Sequence, residues 1–276
     1  MKFLRPLFLK RAGLFVMSVL SFSVIAHAQE RSSSLTPLQL EIEKQRVRLA
    51  SPEVEDRRDA ISRLASMQHP DASRAALAGL KDSTPIVRAT SVTAILSMPA
   101  ADSAVHLLPL LGDKDEFVRR EAAYALGTTR SITAIPLLID LLRSDKVDEV
   151  RGAAAVALGQ ISNEESVSAL IEVIRGTTSS DAKKNKKAKR EQNPFVLRSA
   201  AHALGRIRSR AALPVLLAMI QDEKLEDDLR REGATALGAI GDQAALPALR
   251  NATSSRDPHL AEAADTAIKL ILRGSR

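Results

Sequence analysis

Six basic side chains, Lys183, Lys184, Lys186, Lys187, Lys189 and Arg190, fall within eight consecutive positions. Groups of one sign packed so closely repel and stay solvated, so their chemistry is electrostatic. They are a candidate contact for an acidic protein, an anionic lipid or an envelope polymer, with a solvated spacer as the alternative. A second charged series is periodic. Asp82, Asp113 and Asp145 each stand six positions before an arginine, Arg88, Arg119 and Arg151, while Arg57 and Arg230 keep the same step. Such a series can serve as a charged binding ladder. We read it instead as a structural ladder, in which the aspartate caps a helix and the arginine pairs with it or with its neighbour's. The remaining candidates for chemistry are sparse. His69, His106, His202 and His259 are scattered, and His202 lies among alanines, where a packed neutral histidine is expected. No Gly-rich phosphate loop, nucleophile elbow or zinc-type spacing occurs, and cysteine is absent. No catalytic, metal or cofactor site is expected from these residues.

The elements that carry the ladder are written repeatedly. Phe117–Gly127 and Ser131–Leu142 read as two short helices joined by a turn, with Val118, Ala122, Ala125 and Leu126 on one face of the first. Ile132, Ile135, Leu138, Ile139 and Leu142 line one face of the second. Ala-Leu-Gly recurs at Gly127, Gly159, Gly205 and Gly238, and each glycine is expected to supply the left-handed residue that ends its helix. Four positions later stand Ser131, Asn163, Ser209 and Asp242, expected as caps. Pro136, Pro214 and Pro247 follow early in the second helix, where a missing N–H is tolerated. Two short helices cannot bury both apolar faces alone, so the copies must stack. Seven are counted, with divergent ones near Val54–Lys81 and Pro258–Leu272. The fold expected is all-α, a right-handed α-solenoid of about seven helix-turn-helix repeats.

The repeated pattern Asp113…Val118-Arg119…Ala122-Ala123…Ala125-Leu126-Gly127…Ile135-Pro136-Leu137-Leu138 resembles the HEAT-repeat family, in the short bacterial subtype found in the phycobilin lyases. The resemblance spans residues 53–273 and implies a scaffold. None of the four histidines is followed by glutamate, so the His-Glu pairs by which HEAT-type hydroxylases bind iron have no counterpart here.

Residues 1–28 read as a secretory signal peptide. Lys2, Arg5, Lys10 and Arg11 precede an apolar run over Leu14–Ile25, and Ala26-His27-Ala28 offers small residues at the two positions that signal peptidase reads. Export to the periplasm or beyond follows as an expectation, with no membrane span left after cleavage. Residues 29–52 should form a loose N-terminus and a capping helix, opened by the capping box Thr36-Pro37-Leu38-Gln39. Residues 53–276 should form the solenoid, interrupted at 176–194 by a basic flexible loop that spaces Gly159 and Gly205 46 apart.

The formal net charge of +7 divides unevenly. Residues 1–28 carry four basic groups and no acidic one, and 176–194 carries six basic groups against Asp181 and Glu191, so the rest of the chain is left at −1. Only Phe117, Tyr124 and Phe195 are aromatic beyond the leader. A basic groove with stacking rings for nucleic acid is therefore not encoded. The function expected is a non-enzymatic protein–protein interaction scaffold of the bacterial cell envelope. The alternatives are an enzyme-like relative of the bilin lyases or HEAT-type hydroxylases, and an anionic-surface binder acting through the basic loop.

Overall fold

The computed structural model describes residues 35–178 and 193–274, among which there are fourteen α-helices and no strand. The expected signal peptide, with Ala26 and Ala28, lies outside the described residues, and so do Lys183, Lys184, Lys186, Lys187, Lys189 and Arg190. No helix among the described residues is long and apolar enough to cross a membrane.

Helix α1 (Pro37–Arg48) opens with the expected capping box. Thr36 Oγ1 accepts from the Gln39 amide at 3.3 Å and Gln39 Oε1 from the Thr36 amide at 2.9 Å. Its Ile42 and Gln45 are buried, and it packs on the first helix pair. The pairs are α2 (Val54–Ser66) with α3 (Pro70–Ala76), and α4 (Pro85–Ala94) with α5 (Ala100–Leu107). Next come α6 (Glu116–Thr129) with α7 (Ile135–Ser144), and α8 (Asp148–Ile161) with α9 (Val167–Thr178). Then follow α10 (Pro194–Ile207) with α11 (Leu213–Gln221), and α12 (Asp227–Ile240) with α13 (Leu246–Ala252). The seventh copy is the single helix α14 (Pro258–Gly274). Pro136, Pro214 and Pro247 all sit in the first turn of their helices, as their missing donors require.

The copies stack in two layers, all first helices side by side in one and all second helices in the other. Leu126, Leu158, Leu204 and Leu237 are fully buried, and so are Val118, Ile135, Leu138 and Leu142. Ile132 is the exception to the predicted apolar face: it lies in the turn before α7 and is exposed.

The glycines of Ala-Leu-Gly do not end their helices. Each helix runs on, and the left-handed residue stands three positions later: Arg130 (φ 52°), Ser162 (57°), Arg208 (60°) and Gly241 (79°). The glycines serve instead as points of close approach. A Cβ on Gly127 would lie 2.7 Å from the Ala157 Cα of the next first helix. The corresponding distances are 2.7 Å from Gly159 to Ala203, 2.9 Å from Gly205 to Ala236 and 2.8 Å from Gly238 to Ala267. No side chain fits in those gaps.

The second helices have no such approach and touch one another far less. Of the four expected caps, Asn163, Ser209 and Asp242 accept the amides of Glu165, Ala211 and Ala244. Ser131 makes no such bond and meets Thr133 Oγ1 at 2.8 Å instead.

Candidate functional site

The ladder residues come together, with an offset of one repeat. Arg57 Nε and Nη2 hold Asp82 at 2.7 and 3.0 Å, Arg88 holds Asp113 at 2.8 and 2.7 Å, and Arg119 holds Asp145 at 2.7 and 3.0 Å. Each arginine therefore clasps the aspartate of the next copy, the neighbour's of the two partners that the spacing allowed. Nη1 turns back to its own copy. In Arg88 it donates to the carbonyls of Asp82 (2.9 Å) and Ser83 (3.2 Å), and in Arg119 to those of Asp113 (2.9 Å) and Lys114 (3.3 Å).

The aspartates are not the helix caps expected of them. Asp82, Asp113 and Asp145 each accept the amide two residues on, of Thr84, Asp115 and Val147, closing the turn before the helix. The cap of α6 is Asp115, which accepts from Phe117 and Val118. The Arg57 guanidinium holds the Asp82 carboxyl below the ordinary carboxylate range. Burial pushes Asp113 and Asp145 up, but their arginine bonds and turn amides outweigh it and hold both low.

Arg151, the next arginine of the series, is buried. Its Nε donates to the Leu142 carbonyl, at the end of the preceding copy, at 2.9 Å, and its Nη1 reaches Asp148 in its own helix at 3.1 Å. In the next copy Leu197, also buried, stands at the arginine position. These charges are thus spent on the stack rather than on its surface.

On the first-helix layer Phe117 is 53% exposed, with the Arg120 guanidinium 5.1 Å from its ring centre. Both border a cavity of about 310 Å3 shared with Val147, Glu149 and Val150. Farther along, exposed and half-buried side chains pair between copies. Arg198 meets Asp228 at 3.8 Å, Arg231 meets Asp257 at 3.4 Å, and His202 Nδ1 meets Glu232 Oε1 at 3.0 Å.

His202 is therefore not the packed histidine that its alanine neighbours suggested. It projects from the outer side of α10 while those alanines face the core. His69 accepts the Asp71 amide at the start of α3, and His106 and His259 are exposed. No group of three or more His, Cys, Asp or Glu side chains able to hold a metal ion gathers among the described residues. Tyr124 is half-buried against the core, and Phe195 lies over Gly152.

The family model of HEAT repeats matches residues 43–127, 104–185 and 186–269. Among solved structures, the chain is similar to YibA of Escherichia coli at 21% identity and a TM-score of 0.59, over 85% of this chain and 82% of that one. It also matches the CpcE–CpcF complex of phycocyanin lyase from Nostoc at 21% identity and a TM-score of 0.49, covering 88% of this chain and 89% of that one. Human deoxyhypusine hydroxylase matches at 19% identity and a TM-score of 0.37, covering 85% and 96%. Likeness at these identities speaks to the fold alone. None of the curated proteins searched matches the chain.

Proposed function

The chain belongs to the HEAT-repeat family, and from that premise we propose that it is an exported, non-enzymatic scaffold holding a protein partner against its first-helix layer. The observation that carries the reading is Phe117, an aromatic ring more than half exposed in a chain with few rings, stacked with Arg120 beside a cavity. Aromatic and arginine side chains bordering a pocket are the kind that anchor interfaces. The leader-like residues 1–28 support export, and the basic segment 176–194 is proposed to reach an anionic surface of the envelope.

The test is affinity capture from envelope extract with the wild-type chain beside Phe117→Ala and Arg120→Ala, read by mass spectrometry. A partner retained by the wild type and lost by both variants supports the reading. Capture that ignores both substitutions would move the partner elsewhere. Stoichiometric iron or zinc in the purified protein would favour the enzyme-like alternative.

A further inference from the structure

The arginine series continues past the point where its carboxylates stop. Arg230 lies near the start of α12, and the residue 25 positions on is Ser255; the same step joins Arg57 to Asp82 and Arg88 to Asp113. Ser255 also repeats the local turn of a ladder aspartate. Its Oγ accepts the Asp257 amide at 3.2 Å, as Asp82 accepts that of Thr84 at 2.8 Å and Asp113 that of Asp115 at 2.9 Å. The backbone is arranged for an aspartate and carries a hydroxyl, shorter and uncharged.

Arg230 accordingly bonds to the end of the preceding copy and to its own helix, and to no side chain of the next copy. Nε donates to the Ile220 carbonyl and Nη1 to Asp227, each at 3.2 Å. Arg151 donates to the same kinds of group, the Leu142 carbonyl and Asp148. Nη2, which in Arg57 and Arg88 holds the next copy's carboxylate at 3.0 and 2.7 Å, has no acceptor in Arg230 among the described residues. A cavity of about 610 Å3 opens at this place, and Arg230, Ser255, Asn251, Arg256 and Glu223 are among its walls. Its other two carboxylates are engaged. Asp227 is on Arg230, and Asp257 accepts the amides of His259 and Leu260 while meeting Arg231.

We propose that this cavity takes a carboxylate, the side chain of an aspartate or glutamate on an extended segment of a partner protein, seated on Arg230 in place of the missing ladder residue. A guanidinium edge matches a carboxylate in shape and charge, and Asn251 and Ser255 supply polar groups beside it. The volume lies in the range of sites that enclose a chain segment rather than a bare ion. The polypeptide source rests on the scaffold reading; the carboxylate chemistry does not.

The experiment follows the arginine side-chain 15N–1H signals of the full chain while three probes are added: a five-residue peptide with a central aspartate, its asparagine counterpart, and acetate. The aspartate peptide should shift the Arg230 signal saturably, and the asparagine peptide should bind at least about tenfold more weakly. Arg230→Gln should abolish the binding. Ser255→Asp should abolish it too and raise the melting temperature, because it closes the ladder internally. Equal binding of the two peptides, or binding that survives Ser255→Asp, would overturn the site. Acetate binding as tightly as the peptide would overturn the polypeptide as its source. If no peptide binds while partner capture still depends on Phe117, this site fails and the scaffold reading stands. Peptide binding alongside capture indifferent to Phe117 and Arg120 supports the site and counts against the Phe117 face.

Discussion

Arg88 and Asp113 belong to successive copies, yet they hold each other through two parallel bonds of 2.8 and 2.7 Å, with both side chains nearly buried. The same guanidinium ties down the carbonyls of Asp82 and Ser83 in its own copy. One side chain thus sets the register between two units, which is what buried ion pairs do better than they stabilise.

The first prediction concerns acid. Asp82, Asp113 and Asp145 are all held below the ordinary carboxylate range. As pH falls through about 4, the unfolded chain takes up protons that the folded aspartates refuse. The stability from these pairs is therefore complete above about pH 5 and declines as the medium becomes more acidic. Asp113→Asn keeps an acceptor for the Asp115 amide and removes the charge opposite Arg88. It should cost about 3 kcal/mol at pH 7 and flatten the decline. Urea midpoints between pH 7 and pH 3 measure both effects.

Gly127→Ala should destabilise the protein although alanine is the better helix former. The helical preference is worth about 1 kcal/mol. The added methyl would meet the Ala157 backbone at 2.7 Å, and overpacking of that kind costs about 1–3 kcal/mol. A melting temperature above that of the wild type would show that the two helices can move apart freely.

Leu126→Ala should cost about 2–5 kcal/mol as a cavity in the core, while Arg130→Ala, at an exposed position, should stay within about 0.5. Arg130 and Gly241 hold the same left-handed position in different copies. Gly241→Ala should therefore cost about 1 kcal/mol, and Arg130→Gly should be neutral or slightly stabilising. Denaturant melts of the four variants decide the pattern.

The exported chain should begin at Gln29, after Ala26-His27-Ala28. Its intact mass settles the point. A secreted chain still carrying Met1 would refute cleavage.

The full chain should co-sediment with anionic vesicles at low salt and release as the Debye length shortens to about 8 Å. Changing Lys183, Lys184, Lys186, Lys187, Lys189 and Arg190 to serine should abolish the binding without altering helicity. Identical salt curves for the two proteins would make the segment a spacer.

The repeat, its core leucines and the placement of its prolines were legible because they follow from periodicity within one helix. Relations between copies were not. The steps of 25 or 26 residues from each arginine to the next copy's aspartate are nearly as regular as the six-residue step from Asp113 to Arg119, but the shorter one draws the eye. Gly127 looked like a terminator because glycine favours left-handed backbone, and only the neighbouring helix shows that its value lies in having no side chain. His202 was misplaced because its neighbours in sequence face the core while it faces outward. Ser255 carried a signal that could have been found: it falls on the arginine–aspartate step, but the missing charge removed it from the series.

The contacts between glycine and alanine also have a mechanical consequence. Four adjacent pairs of first helices are locked at backbone distance, whereas the second helices lie apart with pliable side chains between them. When such a beam flexes, its neutral axis runs along the incompressible layer, and the strain is taken up by opening or closing the other. A molecule seated on the first helices would meet a surface of nearly constant length, while one wedged between second helices would change the pitch of the whole coil.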